Sequence, residues 1–210
     1  MKKNTRNYKV GQTRLENQKK ILEAAEVEFA NHGFKGASMS NIADMAELPR
    51  ANVHYYFKNK QELYLTVLMD IVTLWNDAFN QIKPEDDPKD AIQAYIRAKV
   101  MYSKKNPLAS KIFANEIIHG AVHFRQYLGT EYREWIRGKH DVIQSWVDQG
   151  KMDSIDPFHL IFLIWSSTQY YAEHAIEVST TLGKKNLTAK DFEAVVDSLS
   201  HIIIKGCGIK

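Results

Sequence analysis

The chain has 210 residues, 44% of them hydrophobic and 11% aromatic, with a net charge of +3 at neutral pH. That apolar share is enough to build a core, and it excludes a disordered acidic or basic tail protein, which lacks the apolar area to offset ordering entropy. The single cysteine, Cys207, excludes an intramolecular disulfide framework and fits a reducing compartment.

Charge is unevenly spread. Up to Glu62 there are 11 basic and 7 acidic residues, against 17 and 18 in the remainder. Much of the excess sits in a leader holding Lys2, Lys3, Arg6, Lys9, Arg14, Lys19 and Lys20, of which residues 1–14 read as a basic, flexible arm. Such an arm is either a solubility tail or the counterpart of a polyanion. It lacks the apolar stretch of a signal peptide, and the longest apolar run, Leu160 to Trp165, passes at once into Ser166, Ser167, Thr168 and Gln169. A cytoplasmic protein with no membrane partner is expected.

Helical periodicity dominates, with sparse glycine and proline and neither strand-like alternation nor an internal repeat. The spacing of Ile21, Leu22, Ala25 and Phe29 predicts a first helix from about Leu15 to Asn31, stopped at Gly33. Ser38 is a candidate N-cap for a short helix carrying Ile42, Ala43 and Ala46, and a second short helix covers Arg50 to Phe57. A longer one runs from near Asn59 to Ile82 with Leu63, Val67, Ile71, Leu74 and Trp75 at helical spacing. The acidic, proline-containing segment Lys83 to Lys89 then breaks the pattern. Further helices are predicted from Asp90 to Lys104, from Pro107, from Tyr127 to Gln149, from Asp156 or Pro157 to Thr181, and from Thr188 to Ile204. Thr188 and Asp191 form a capping-box-like start to the last.

Two short helices joined by a tight turn, the second polar and aromatic, are what a helix-turn-helix needs to lay a recognition helix in a major groove. In SNIADMAELPRANVHYYF, Ile42, Ala43, Ala46, Leu48 and Val53 supply contacts between the helices, while Arg50, Asn52, Tyr55 and Tyr56 are left to face outward. An ordinary helical hairpin shows the same pattern. The longer stretch from Ile21 to Leu68, with Ala24, Ala25, Phe29, Gly33, Phe34, Ile42, Ala43, the run Tyr55 to Phe57, Lys60 and Leu63, resembles the DNA-binding domain of the TetR family. Two departures stand out: Glu47 occupies a turn position that usually carries glycine, and Pro49 opens the recognition helix where Ser or Thr is common.

The resemblance implies an all-α fold with a three-helix DNA-binding domain over residues 15–62 and a helical ligand-binding and dimerisation domain over 63–210. It implies a palindromic double-stranded operator as partner, with Arg50 and Asn52 reading base edges and Tyr55, Tyr56 and Lys60 positioning phosphates. The later segments, AIQAYIRAKVMYSKKNPLASKIFANEI and IDPFHLIFLIWSSTQYYAEHA, resemble the pyrimidine-responsive RutR subgroup, in which a pocket in each monomer binds a small nucleobase and DNA is released. A homodimer through the last two helices, Pro157 to Thr181 and Thr188 to Ile204, is implied as well.

Trp165, Thr168, Gln169 and Ala172 fall on one helical face, which offers an amide, a hydroxyl and an indole to a flat heterocycle. Trp75 is the candidate opposing wall, and Lys99, Ser103, Phe113 and Glu116 come from the helices between. The same residues can equally be core, and an apolar or aromatic effector is the alternative. Glu116, His119 and His123 look like metal ligands on paper, but Gly120 interrupts them and no third ligand motif follows, so neither metal nor cofactor is expected. Glu173 and His174 are adjacent and face apart, a poor acid–base pair for an enzyme. A purely architectural DNA-binding protein would not need so many helices beyond a dimer interface.

Overall fold

A computed structural model of the protein describes the backbone of residues 4–209 and the side chains from Thr13. Lys2 and Lys3, and the side chains of Arg6 and Lys9, lie outside the described residues. The backbone forms helices and connecting turns, and no strand occurs among the described residues. The chain divides into two compact units, Met1–Ile71 with Ile112–Phe124, and Val72–Lys111 with Arg125–Lys210.

In the first unit, helix α1 (Asn4–Gly36) buries Ile21, Ala24, Ala25 and Phe29 on one face. The backbone is helical from Asn4, so α1 begins before Leu15, where the first helix was expected to start. The helical geometry breaks at Gly33, whose φ of 62° and ψ of 179° suit glycine alone. Ser38 then caps α2 (Met39–Met45), its Oγ accepting the N–H groups of Ser40 at 3.2 Å and Asn41 at 3.5 Å. The buried Glu28 carboxylate accepts the Ser38 N–H at 2.9 Å and the Asn41 side chain at 3.2 Å, fastening α2 to α1.

Glu47 turns the chain with φ 55°, and Pro49, φ −55° and ψ 139°, precedes α3 (Arg50–Tyr56) without a side-chain cap. Ile42, Ala43, Ala46 and Val53 close the space between the two short helices. Helix α4 (Lys60–Asn80) starts where Asn59 Oδ1 accepts the Glu62 N–H and Glu62 Oε2 accepts the Lys58 N–H, both at 2.9 Å. The unit boundary falls inside this helix after Ile71, not at residue 63. The reason is that Ile112–Phe124 folds with the first unit, where the Tyr64 hydroxyl donates to Glu116 at 3.1 Å.

In the second unit, α5 (Pro88–Lys105) is capped by Asp87 and packs against both α9 (Pro157–Glu173), capped by Asp156, and α11 (Ala189–Gly206), which opens with the Thr188–Asp191 capping box. Ile96, Val100, Ile161, Ile164, Val196 and the fully buried Trp146 form the centre of this core. Trp146 donates its indole N–H to Pro84 O at 3.1 Å, which holds the acidic connector after α4 in place. Helix α6 (Pro107–Ile118) follows α5 directly.

Two expected long helices are interrupted. The span predicted from Tyr127 to Gln149 is α7 (Arg125–Gly129) and α8 (Glu131–Asp148), separated by Thr130, whose hydroxyl donates back to Gln126 O at 2.8 Å next to a helix-weakening glycine. The span predicted to Thr181 kinks at His174, φ −110°, between α9 and α10 (Ala175–Thr181), where the His174 ring stacks on Tyr170 at 4.2 Å.

The strained turn yields a prediction. A non-glycine residue in the left-handed region costs about 1–2 kcal/mol, and glycine adds about 0.5–1 kcal/mol of unfolded-chain entropy. Glu47→Gly should therefore stabilise the protein by about 0.5–1 kcal/mol, seen as a higher urea midpoint at unchanged slope. An unchanged midpoint would show that Glu47 holds its φ without strain.

Candidate nucleic-acid interface and effector site

Helix α3 turns Val53 inward and leaves Arg50, His54 and Tyr55 exposed, with Asn52 and Tyr56 half-buried at the edge of the same surface. Tyr55 is 72% exposed, and such a large aromatic projecting from a seven-residue helix contributes little to the core. Its ring meets Tyr56 edge-on at 5.3 Å, and the Arg14 guanidinium lies 5.9 Å from its centre. Arg14, from the basic leader, and His54, which carries no sequence-based expectation, join this surface. Charge and exposure alone could have suggested both.

Lys60 sits differently from the other basic groups. Its Nζ donates to Ala37 O at 2.9 Å and Lys35 O at 3.3 Å, and rests 4.8 Å from the Phe34 ring centre. Two of its three donors thus hold the carbonyls at the end of α1, leaving one for a phosphate.

In the second unit, Lys99 and Ser103 are one turn apart on α5 and both buried. The Lys99 ammonium lies 4.3 Å from the centre of the Trp75 ring, itself 8% exposed. Burial pushes the Lys99 amine down to about 7, with the Glu173 carboxylate opposing the shift. Burial likewise raises Glu173, with His174 and Lys99 pulling it back. Glu173 falls four residues after Gln169 on α9.

Gln169 is 9% exposed, and among the described residues its amide has no hydrogen-bond partner. Thr168 donates to Ile164 O of its own helix at 2.7 Å. Trp165 donates its indole N–H to the Tyr95 hydroxyl at 2.6 Å, and its ring lies parallel to Trp135 at 6.4 Å, beside Tyr132 and Phe162. The structure therefore brings Trp75 to Lys99 and commits Trp165 to an aromatic cluster. Glu116, expected in the same group, has both oxygens occupied in the first unit, by the Tyr64 hydroxyl and by the His123 N–H at 2.7 Å. Phe113 also belongs to that unit, edge-on to Phe124 at 6.3 Å. No group of three His, Cys, Asp or Glu side chains suited to a metal ion occurs among the described residues.

Helix α9 leaves Phe162, Leu163 and Tyr170 exposed in one stripe, and α11 leaves Ile202 62% exposed beside the half-buried Val195 and Leu199. Ile161, Ile164, Val196 and Ile203 of the same two helices are buried in the unit's own core. No helix among the described residues is long and apolar enough to cross a membrane.

The family profile for bacterial regulatory proteins of the tetR family matches residues 21–67, and that for the C-terminal region of YcdC-like proteins matches residues 68–210. The HTH-type transcriptional regulator RutR of Escherichia coli K12 is 37% identical over 188 residues, spanning 90% of this chain and 89% of that one. The chain belongs to the TetR family.

Among solved structures, a TetR-like transcriptional regulator from Rhodococcus sp. RHA1 superposes with a TM-score of 0.67 at 17% identity, over 92% of this chain and 97% of that one. AibR in complex with isovaleryl coenzyme A and operator DNA superposes with a TM-score of 0.66 at 15% identity, over 89% and 97%. As a TetR-family member the protein is a DNA-binding transcriptional regulator and not an enzyme. Helices α2 and α3 are its helix-turn-helix.

The buried amine of this TetR-family regulator gives its stability a pH dependence. An ordinary lysine titrates near 10.4, whereas Lys99 in the fold titrates near 7, so between these values the unfolded chain holds the extra proton. Stability should therefore rise with pH from about 7 towards 10, and Lys99→Met should remove that part of the slope while raising stability at pH 7. Denaturant titrations at pH 7 and pH 9 measure it. Equal slopes in both proteins would show that Lys99 titrates normally.

Proposed function

We propose that this TetR-family regulator is a cytoplasmic repressor that binds a palindromic operator as a homodimer and is released by a small polar effector, a pyrimidine or related nitrogenous catabolite. Each DNA-binding domain presents one recognition helix, so two half-sites about 34–36 Å apart, or a multiple of that, suit a twofold dimer. The apolar stripes of α9 and α11 support dimerisation through these helices. The AibR complex supports the general scheme, since it holds isovaleryl coenzyme A and operator DNA together on this fold.

The observation that carries the effector reading is the concentration of unspent polar capacity on adjoining faces of α5 and α9. A buried amine lies over the Trp75 ring, and a nearly buried amide lacks a partner among the described residues. An interior that only needed packing would fill these positions with apolar side chains, because unpartnered polar groups cost stability. A flat ring with alternating carbonyl and N–H groups answers both: its oxygens accept from Lys99 and its edge pairs with the Gln169 amide. Trp75, Lys99, Ser103 and Gln169 are the residues assigned to this site. Trp165 bounds it through its hydrogen bond to Tyr95.

On the DNA side, Arg50 and Asn52 read base edges, and Tyr55, Tyr56 and Lys60 hold the phosphate backbone. Arg50→Ala should cost about 1–3 kcal/mol and relax preference at one operator position. Lys60→Ala should weaken binding to all sequences and lower the salt slope by about one unit. Binding isotherms at several salt concentrations on native and randomised sites separate the two. An unchanged salt slope in Lys60→Ala would leave that side chain only its hold on the α1 carbonyls.

Gln169→Leu preserves shape and removes the amide. Operator binding and melting temperature should stay near those of the parent, while release by uracil or a related nucleobase is lost. A variant still released as well as the parent would remove Gln169 from the site. One that melts markedly lower would make it a structural residue.

A further inference from the structure

The first unit contains a cavity of about 440 Å³ that the effector site does not use. It opens between the end of α1, the start of α4 and the segment Ile112–Phe124, all within that unit. Its volume falls in the range of about 300–1,000 Å³ usual for small-molecule sites. We propose that this cavity is a second ligand site, in the DNA-binding unit itself, and that it takes a flat aromatic ring bearing one carboxylate.

Ring faces shape the cavity. Phe29, Phe34, Tyr64 and Ile112 line the apolar part. Phe34 meets His123 at 4.0 Å and Tyr64 at 5.1 Å, and Tyr64 meets Phe29 edge-on at 4.8 Å. Such a wall of tilted rings favours an aromatic guest, which can stack offset or edge-on, over an aliphatic chain.

The polar groups of the cavity differ in how far they are already spent. His32, Lys35, His119 and His123 line the polar part, and Lys60 adds its ammonium against the Phe34 ring. Glu116 is the one acid in the lining, and both its oxygens accept protein donors, from Tyr64 and from the His123 backbone. His32 has a partial partner in Glu28, 3.7 Å away, and His119 holds Asn115 O through Nδ1 at 2.7 Å with its other ring nitrogen left over, whereas Lys35 is exposed and forms no ion pair among the described residues. Glu116 keeps its charge, but both its acceptor oxygens are taken, so the polar capacity left facing the cavity is chiefly donor, and a carboxylate, which only accepts, complements it. An occupant touching His32 is one helical turn from Glu28, the carboxylate that holds α2.

Calorimetric titration of the full-length protein with 2-naphthoate, and separately with the uncharged 2-naphthamide, tests the proposal. The naphthoate should bind saturably, and the amide about fivefold or more weaker, the size expected from losing a partly exposed ion pair. Asn115→Trp should block the cavity, and the double variant Lys35→Gln, His119→Gln, at exposed positions, should weaken the naphthoate at least about fivefold with an unchanged melting temperature. Gln169→Leu should leave naphthoate binding intact. Absence of saturable binding, equal affinity for the amide, or full affinity in the double variant would each overturn the proposal. Loss of naphthoate binding in Gln169→Leu would overturn it too, by placing the probe in the second unit. The uracil response of that variant tests the effector reading on its own.

Discussion

The aim of the recognition helix depends on one buried carboxylate. Glu28, 4% exposed, accepts the Ser38 N–H and the Asn41 side chain, so the first residue and the side of α2 are both tied to α1. A seven-residue helix is too short to hold its own position in water, and α3 is equally short, so their geometry is borrowed from what they lean on. Lys60 makes the complementary tie, from α4 back to the last carbonyls of α1. Both helices that flank the reading surface are thereby hung on the same end of α1. Charge-assisted bonds of this kind are short and directional, which suits a frame that must hold an angle.

The second unit is organised around α5, which lies against α9 and α11 and supplies the interior with both its apolar centre and its polar exceptions. Ile96 and Val100 are packed as any core would pack them, while Lys99 and Ser103 sit among them at a cost to stability. Glu173 eases that cost only in part, since among the ion pairs of the described residues none joins the two at contact distance. A fold that keeps an amine in such surroundings sacrifices stability for chemistry, a trade common at binding sites. A resident anion or carbonyl oxygen would offset the cost, so ligand binding and stability share one term.

Much of this was legible in the sequence because the signals were local. Ser38 as a cap, Glu47 as a strained turn, Pro49 at the head of α3 and the Thr188–Asp191 box each depend on a few neighbouring residues, and the structure shows all four. What sequence missed are side-chain contacts, near and far along the chain. The breaks at Thr130 and His174 lie inside strong helical periodicity and come from a side-chain back-bond and a ring stack that periodicity does not encode. Glu116 shares its spacing with residues assigned to the effector site, yet Tyr64, 52 positions away, claims it for the other unit. Of the apolar residues on α9 and α11, Ile161 and Val196 face inward and Leu163 and Ile202 outward, a division set by where α5 lies and not by composition.

The placement of the tryptophans has an optical consequence. All four, Trp75, Trp135, Trp146 and Trp165, fall in the second unit, and Trp146 at its centre is fully buried. Intrinsic indole emission therefore monitors the second unit alone, while the first, with tyrosine and phenylalanine only, is dark at those wavelengths. A far-ultraviolet circular dichroism melt of the same sample sees the helices of both, so any gap between the two curves reports how far the first unit loosens before the second.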